Sequence, residues 1–240
     1  MKIDCISDLH GAYPKLDAGD LLIVAGDLTA RDLEDQYYQF NSWLCEQDYN
    51  KKIVISGNHD GLLQKDSFQY LEGYPAFEYL QDSGTKYKGI KIWGSPWTPT
   101  FYNWHFMKDR GEKIKEMWDL IPRDTEILIT HGPTFGILDR VKRFNYIDTK
   151  TNLGNFINSQ YEHAGCEELR KVIEKLPNLK LHVFGHIHEG YGTCKLPRIG
   201  FLDENDVLCV NCSIMDGEYN PVNKPITIHF DKHKGANVVL

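Results

Sequence analysis

No apolar run in this 240-residue chain approaches the roughly 20 residues that a membrane-spanning helix requires; 21–25 is typical of the longest. A membrane partner is therefore not expected. Cations are also short, with 27 Lys and Arg against 34 Asp and Glu and a net charge of -7. That balance offers no basic field for a long polyanion, so long nucleic acid is not an expected partner. No low-complexity segment, fixed-period repeat or Gly/Ser/Pro linker marks a second domain, and residues 1–240 read as one. The six cysteines, Cys5, Cys45, Cys166, Cys194, Cys209 and Cys212, are scattered among apolar positions and form no disulfide framework. Cys209 and Cys212 make a CxxC without the second pair a zinc site would want, and on a strand their spacing sends them to opposite faces. No signal peptide is visible, because the apolar N-terminus is broken at once by Asp4, Ser7, Asp8 and His10. A cytoplasmic, reducing location is the expectation. Nothing in the chain bears on oligomeric state.

What the chain does have is a series of short apolar runs, at 3–6, 21–25, 53–56, 127–130 and 181–184, each ending in a Gly, Asp, Asn or His cluster. Runs of that length bounded by turn residues predict buried strands. Between them, Leu33, Tyr37, Phe40 and Leu44 fall on one helical face, as do Cys166, Leu169, Ile173 and Leu176. A further strand is expected at 91–93, and beyond Gly185 the chain turns β-rich, at 207–212, 226–230 and 236–239. Strands alternating with helices imply an α/β fold. The expectation is a four-layer sandwich, two mixed β-sheets packed face to face and flanked by helices. In such sheets ligands gather beyond the carboxyl ends of the strands, where the loops converge.

Five strand endings carry chemistry. In Ser7-Asp8-Leu9-His10-Gly11, Asp8 and His10 are one residue apart and can project to the same side of an extended tip. Gly26-Asp27-Leu28-Thr29 and Gly57-Asn58-His59-Asp60 follow the next two strands, and the glycine in each permits a sharp turn that presents the next side chain. Thr130-His131-Gly132-Pro133 and Gly185-His186-Ile187-His188 close two later strands. Each alone is commonplace, because Asp, Asn and Gly favour turns for local reasons. Five in one chain ask for a shared cause. Asp8, His10, Asp27, Asn58, His131, His186 and His188 offer oxygen and imidazole nitrogen without a thiolate. Such a set suits two divalent metal ions, manganese first, with iron, zinc, magnesium or nickel as alternatives. Two ions fit if one carboxylate bridges them, and Asp27 is the candidate bridge.

These five motifs, in this order, resemble the calcineurin-like metallophosphoesterases, whose pattern is DxH, GDxx, GNHD or GNHE, a strand-end histidine and GHxH. The resemblance runs from Asp8 to His188 and covers most of the chain. It implies that Asp8, His10, Asp27 and His188 hold one metal ion and that Asp27, Asn58, His131 and His186 hold the other. It also implies that His59 stands near the leaving group, with Asp60 orienting its ring. Gly94-Ser95-Pro96-Trp97, His163-Ala164-Gly165-Cys166, the segment 185–192 and Asn223-Lys224-Pro225 look closer still to the metallophosphoesterase-domain-containing (MPPED) branch. Some members of that branch lack one metal-ligating histidine; here His186 and His188 are both present.

The implied chemistry is that of a dinuclear metal-dependent phosphodiesterase, acting on small phosphodiesters or cyclic nucleotides by in-line attack of a metal-bridging hydroxide. His59 would protonate the departing alkoxide. Asp60 also reads as a helix N-cap. The aromatic stretch that includes Trp97 and Trp104 could stack a base or cover a sheet edge. Arg140, Lys142 and Arg143 lie in a long segment, 134–163, that reads as a loop or lid; they could meet a substrate phosphate or form a solvated face. Two alternatives stay open: a phosphomonoesterase or phosphoprotein phosphatase on the same metal core, and a catalytically weak metal-binding scaffold. The GDxxDRG signature of protein phosphatases is absent at 26–32.

Overall fold

Unbroken apolar runs need cover on both faces, which a parallel sheet sandwiched between other layers provides. A computed structural model describes residues 1–71, 77–144, 159–197 and 206–239 and shows that arrangement. The first half of the chain gives β1 (Lys2–Ile6), β2 (Gly19–Ala25), α1 (Glu34–Cys45), β3 (Tyr49–Ile55), α2 (Gly61–Leu71), β4 (Glu78–Tyr79), β5 (Ser83–Tyr87), β6 (Ile90–Ser95), β7 (Thr98–Pro99), β8 (Met107–Lys108) and α3 (Glu112–Trp118). The second gives β9 (Ile127–Thr130), β10 (Arg140–Phe144), β11 (Ser159–His163), α4 (Glu167–Ile173), β12 (Leu181–Phe184), β13 (Gly192–Leu196), β14 (Val207–Asn211), β15 (Ile226–Asp231) and β16 (Gly235–Val238).

One sheet has the order β16-β15-β1-β2-β3-β4, with β1 to β4 parallel and β15 and β16 added antiparallel. The other has the order β13-β14-β12-β9-β6-β5, parallel in its centre with antiparallel strands at both edges. Side chains of one parity meet between the sheets: Ile3, Cys5, Leu21, Ile23 and Ile53 face Ile92, Ile127, Ile129, Leu181 and Val183. Those of the other parity turn outward. Leu22, Val24 and Val54 pack under Tyr37, Phe40 and Leu44 of α1. Leu128 and Phe184 pack under Trp118 of α3 and Leu169 and Ile173 of α4. Each such aliphatic side chain contributes about 1.5–3 kcal/mol by leaving water. The layers run helix, sheet, sheet, helix, as the strand and helix periodicities predict. Cys209 lies under the helices and Cys212 between the sheets, the opposite faces expected of their spacing.

Two expectations need correction. Leu33 is not on the buried face of α1; it precedes the helix and is 50% exposed, because the helix starts at Glu34, where an acidic first turn suits the positive end of the helix dipole. The segment 134–163 is not simply a loop, since β10 and β11 pair antiparallel with Arg140 opposite His163. Residues 145–158 and the side chain of Arg143 lie outside the described residues.

Candidate metal centre

The strand ends are stitched together by main-chain hydrogen bonds before any side chain is considered. The Asp8 N–H donates to Gly26 O at 3.0 Å and the His10 N–H to Asp27 O at 3.1 Å, joining the loops after β1 and β2. The Asp60 carboxylate, wholly buried, accepts from the N–H groups of Gly57, Leu28 and Thr29 at 2.8 to 3.1 Å, joining the loop after β3 to the one after β2. In the second sheet the Gly185 N–H donates to His131 O at 2.9 Å. The two sheets are tied where the His186 N–H meets both carboxylate oxygens of Asp8, each at 3.0 Å.

The backbone is bent hard to do this. Asp8, His10, Asp27 and His186 stand at φ of 54°, 44°, 52° and 69°, a left-handed region that non-glycine residues seldom adopt. Such strain persists only where the surroundings over-determine it, and it tends to mark working sites. Gly57 and Gly185 leave the room: a Cβ on the first would run into the Asp27 carboxylate and on the second into that of Asp8.

The side chains then converge. His131 Nε2 lies 2.9 Å from Asn58 Oδ1 and 3.3 Å from Asp27 Oδ1. The other oxygen, Asp27 Oδ2, faces His10 Nε2 at 3.6 Å. His188 Nε2 is 3.5 Å from Asp8 Oδ1 and 3.4 Å from His10 Nε2. Two groups result, Asp8 with His10 and His188, and Asp27 with His131 and His186, each with donor atoms within 4.8 Å of one another. A third such group, His10 with Asp27 and His59, lies across the join. The outer ring nitrogens of His131 and His188 meet the carbonyls of Ala25, at 2.9 Å, and Asp216, at 3.2 Å. A carbonyl there keeps a proton on Nδ1 and aims Nε2 inward, the nitrogen that would bind a metal ion in place of its proton. All seven residues proposed from the sequence are in this cluster, and no thiol is. The set fits a pair of hard-to-borderline divalent ions.

The charges in the cluster act on one another across a few ångströms. Burial opposes ionisation of Asp8, but its hydrogen bond with His188 and the charges of His188 and His131 outweigh it and hold the pKa at about 2. Burial opposes the charged form of His131 too, yet the Asp27 carboxylate raises it to about 9. His186, half-buried and beside His131, is pushed down to about 3 by its loss of solvent and by that neighbour. Asp60 goes the other way, up to about 7, through burial and the nearby Asp27 charge. Opposed shifts packed into one strand-end cluster are typical of functional sites.

The model of the calcineurin-like phosphoesterase family matches residues 1–190. The chain belongs to this family. It is 36% identical over 93% of its length to metallophosphoesterase domain-containing protein 1 of Homo sapiens, with 69% of that protein covered, and equally similar to the Mus musculus protein. A UPF0046 protein of Caenorhabditis elegans is 30% identical over 95% of this chain and 60% of its own length. A solved crystal structure aligns at a TM-score of 0.54 over 99% of this chain and 98% of that chain, at 13% identity, a likeness of fold. Membership makes the chain a metal-dependent phosphoester hydrolase of the metallophosphoesterase-domain-containing branch. Among the described residues, no helix is long and apolar enough to cross a membrane.

In this calcineurin-like phosphoesterase the donors open into a cleft of about 1000 Å³. His59 stands at its edge, its ring edge-on to His10 at 4.5 Å and stacked on Trp104 at 4.3 Å. Its Nδ1 meets Ala30 O at 3.2 Å. The Asp60 carboxylate, occupied by main-chain donors and by Thr29 Oγ1, neither holds that ring nor caps α2, so it acts on the loops rather than on the imidazole. Trp104 lines the cleft and Trp97 does not: the Trp97 Nε1–H donates to the Asp82 carboxylate at 2.8 Å, and Lys108 lies over its ring. Arg140 is exposed and away from the cleft, while Lys142 lines it. Phe101, Arg110, His163 and Tyr219 also line the cleft. Tyr219 went unmarked in the sequence, since no motif contains it and its only signal is a polar turn, Asp216-Gly217-Glu218, after a buried strand.

Proposed function

We propose that Asp8, His10, Asp27 and His188 hold one divalent ion, that Asp27, Asn58, His131 and His186 hold a second, and that the chain hydrolyses small phosphodiesters, cyclic nucleotides included. The observation that carries this reading is Asp27, which turns one oxygen to His131 and the other to His10 and so divides the donors into two sets around a shared carboxylate. Divalent ions held by these residues would supply an acidified water as nucleophile and neutralise charge on the attacking and leaving oxygens. The protein's own part is to place and protonate. With Nδ1–H donating to the Ala30 carbonyl, His59 keeps Nε2 for the cleft, where the ring in its imidazolium form delivers the Nε2 proton to the leaving alkoxide and is left neutral, with Nδ1–H still on the carbonyl. Trp104, stacked on that ring and 42% exposed, holds it and offers a face for a nucleobase. Asp60 is a positioning residue that fixes the loop carrying Asn58 and His59.

Manganese is the ion we assign first, on the oxygen and nitrogen donors. Residues 1–240 are taken as one metallophosphoesterase domain, because strands from both ends of the chain share the core between the sheets. The six free thiols support a reducing, cytoplasmic location. The test is metal analysis of purified protein together with hydrolysis of bis(p-nitrophenyl) phosphate, p-nitrophenyl phosphate and cyclic nucleotides, each with added Mn, Mg, Zn or Ni. Two ions per chain and a diester rate above the monoester rate are expected. Turnover of monoesters or phosphoproteins alone would overturn the diesterase assignment.

A further inference from the structure

Two rings stand over the donor histidines, one for each set. Phe101 lies against His186, with ring centres 5.1 Å apart. Tyr219 lies against His10 and His188 together, at 5.1 and 4.7 Å. The pair is unequal in one respect: Phe101 can only cover its histidine, whereas Tyr219 brings a hydroxyl to the cleft that both rings line. Among the described residues no hydrogen bond engages that hydroxyl.

Packing does not explain why a tyrosine is there. Its side chain gains little burial, the residue being 57% exposed, yet its backbone sits at φ 62°, which bulky residues avoid. The surrounding turn enforces this. The Asp216 carboxylate accepts from the N–H groups of Glu218 and Asn220, both at 2.9 Å, and the Asp216 N–H donates to Asn220 O at 2.9 Å. The Asp216 carbonyl is also the one that faces His188 Nδ1. Asn223 anchors the far side of the turn by donating to Ser213 O and Met215 O at 3.2 and 2.8 Å. One braced turn therefore sets both a donor histidine and an exposed, strained aromatic residue beside it. Strain of this kind without burial in return points to what the side chain touches in the cleft.

On the basis of the phosphoesterase reading above, we infer that Tyr219 is a substrate-positioning residue whose hydroxyl donates a hydrogen bond to a non-bridging phosphoryl oxygen on the His10 and His188 side of the centre. A neutral O–H suits that place. It is a donor to a charged oxygen, such bonds are the strong ones, and it adds no negative charge beside Asp8 and Asp27. A group fixed before substrate arrives also needs no reorganisation when charge moves onto the phosphoryl oxygens.

The test compares Tyr219→Phe with Tyr219→Ala, each with its metal content, on bis(p-nitrophenyl) phosphate and on the phosphorothioate analogue in which sulfur replaces one non-bridging oxygen. Tyr219→Phe is expected to keep its metal and its melting temperature while kcat/KM falls roughly 10- to 100-fold, the worth of one hydrogen bond to a charged oxygen. The loss should be smaller on the phosphorothioate, because sulfur accepts weakly. Wild-type kinetics in Tyr219→Phe would overturn the proposal, as would equal losses on both substrates, or metal loss in both variants, which would make the ring a cover for the histidines. If the wild type, fully loaded with metal, cleaves no phosphodiester, the failure belongs to the functional reading instead. Binding of inorganic phosphate to the loaded protein then decides the role of Tyr219: a Kd about tenfold weaker in Tyr219→Phe upholds it, and an unchanged Kd removes it.

Discussion

The main-chain N–H of His186 donates to both carboxylate oxygens of Asp8, across 178 positions of sequence and from one sheet to the other. Asp8 is thus a clamp between the sheets as well as a candidate ligand. Asp8→Ala should cost metal, and should also lower the stability of EDTA-treated protein by about 1.5–3 kcal/mol, the loss expected for a buried hydrogen bond to a charged group. Asp8→Asn, which keeps one acceptor oxygen, should cost less. Identical urea midpoints for metal-free wild type and Asp8→Ala would show that the clamp contributes nothing.

On the proposed assignment Asp27 serves both donor sets, whereas His10 and His131 serve one each. Asp27→Ala is expected to reduce bound metal to well below one ion per chain and to abolish hydrolysis, while His10→Ala and His131→Ala should each retain close to one ion. Plasma emission analysis of dialysed protein reads this directly. A full complement of two ions in Asp27→Ala would remove the bridging role.

His59 faces the cleft from outside the seven donors. His59→Ala should keep two ions and lose roughly 10²- to 10⁴-fold in kcat, the range for a positioned general acid. The loss should shrink on esters whose leaving group is already acidic, such as p-nitrophenolate, and grow on alkoxide leaving groups. A uniform loss across leaving groups would instead assign His59 to binding.

His182 gives the pH prediction. It is fully buried, with Nε2 2.8 Å from Thr130 Oγ1 and Nδ1 without a partner, and burial pushes its pKa down to about 3. An unfolded histidine titrates near 6.5. Between those values the unfolded chain binds a proton that the folded chain refuses, so this contribution is whole above pH ~6.5 and is lost as pH falls toward ~3, at up to about 1.4 kcal/mol per unit. Urea midpoints of metal-free protein between pH 7 and 4.5 should fall more steeply for wild type than for His182→Gln. Parallel curves would contradict the assignment.

Much of this arrangement was legible in the sequence for a physical reason. Strands buried on both faces need unbroken apolar runs, and such runs must end in polar turns, so Ile23-Val24-Ala25 followed by Gly26-Asp27 announces both a strand and what it presents. The seven donors were readable because each ends or follows such a run. The partner of the His59 ring was not, because the sequence neighbour Asp60 is taken by main-chain donors from its own loop and from the one after β2, and the Ala30 carbonyl carries no side-chain signature. Trp97 and Trp104 look alike in sequence; a carboxylate 15 positions upstream, Asp82, draws one away from the cleft. Tyr219 depends on a turn whose geometry comes from Asp216 and Asn223, well past the last of the five strand-end motifs.

The donors sit at the ends of two sheets and on two stretches of chain made at different times. Asp8, His10, Asp27 and Asn58 follow strands at the start of the chain, and His131, His186 and His188 follow strands from its second half. On the proposed ligand assignment the set gains His131 after β9 and is completed by His186 and His188 only after β12 has emerged. If these seven residues hold the ions, loading is expected late in the life of each molecule, and a chain stalled before residue 186 would carry Asp8, His10, Asp27, Asn58 and His131 without the two histidines that complete the set.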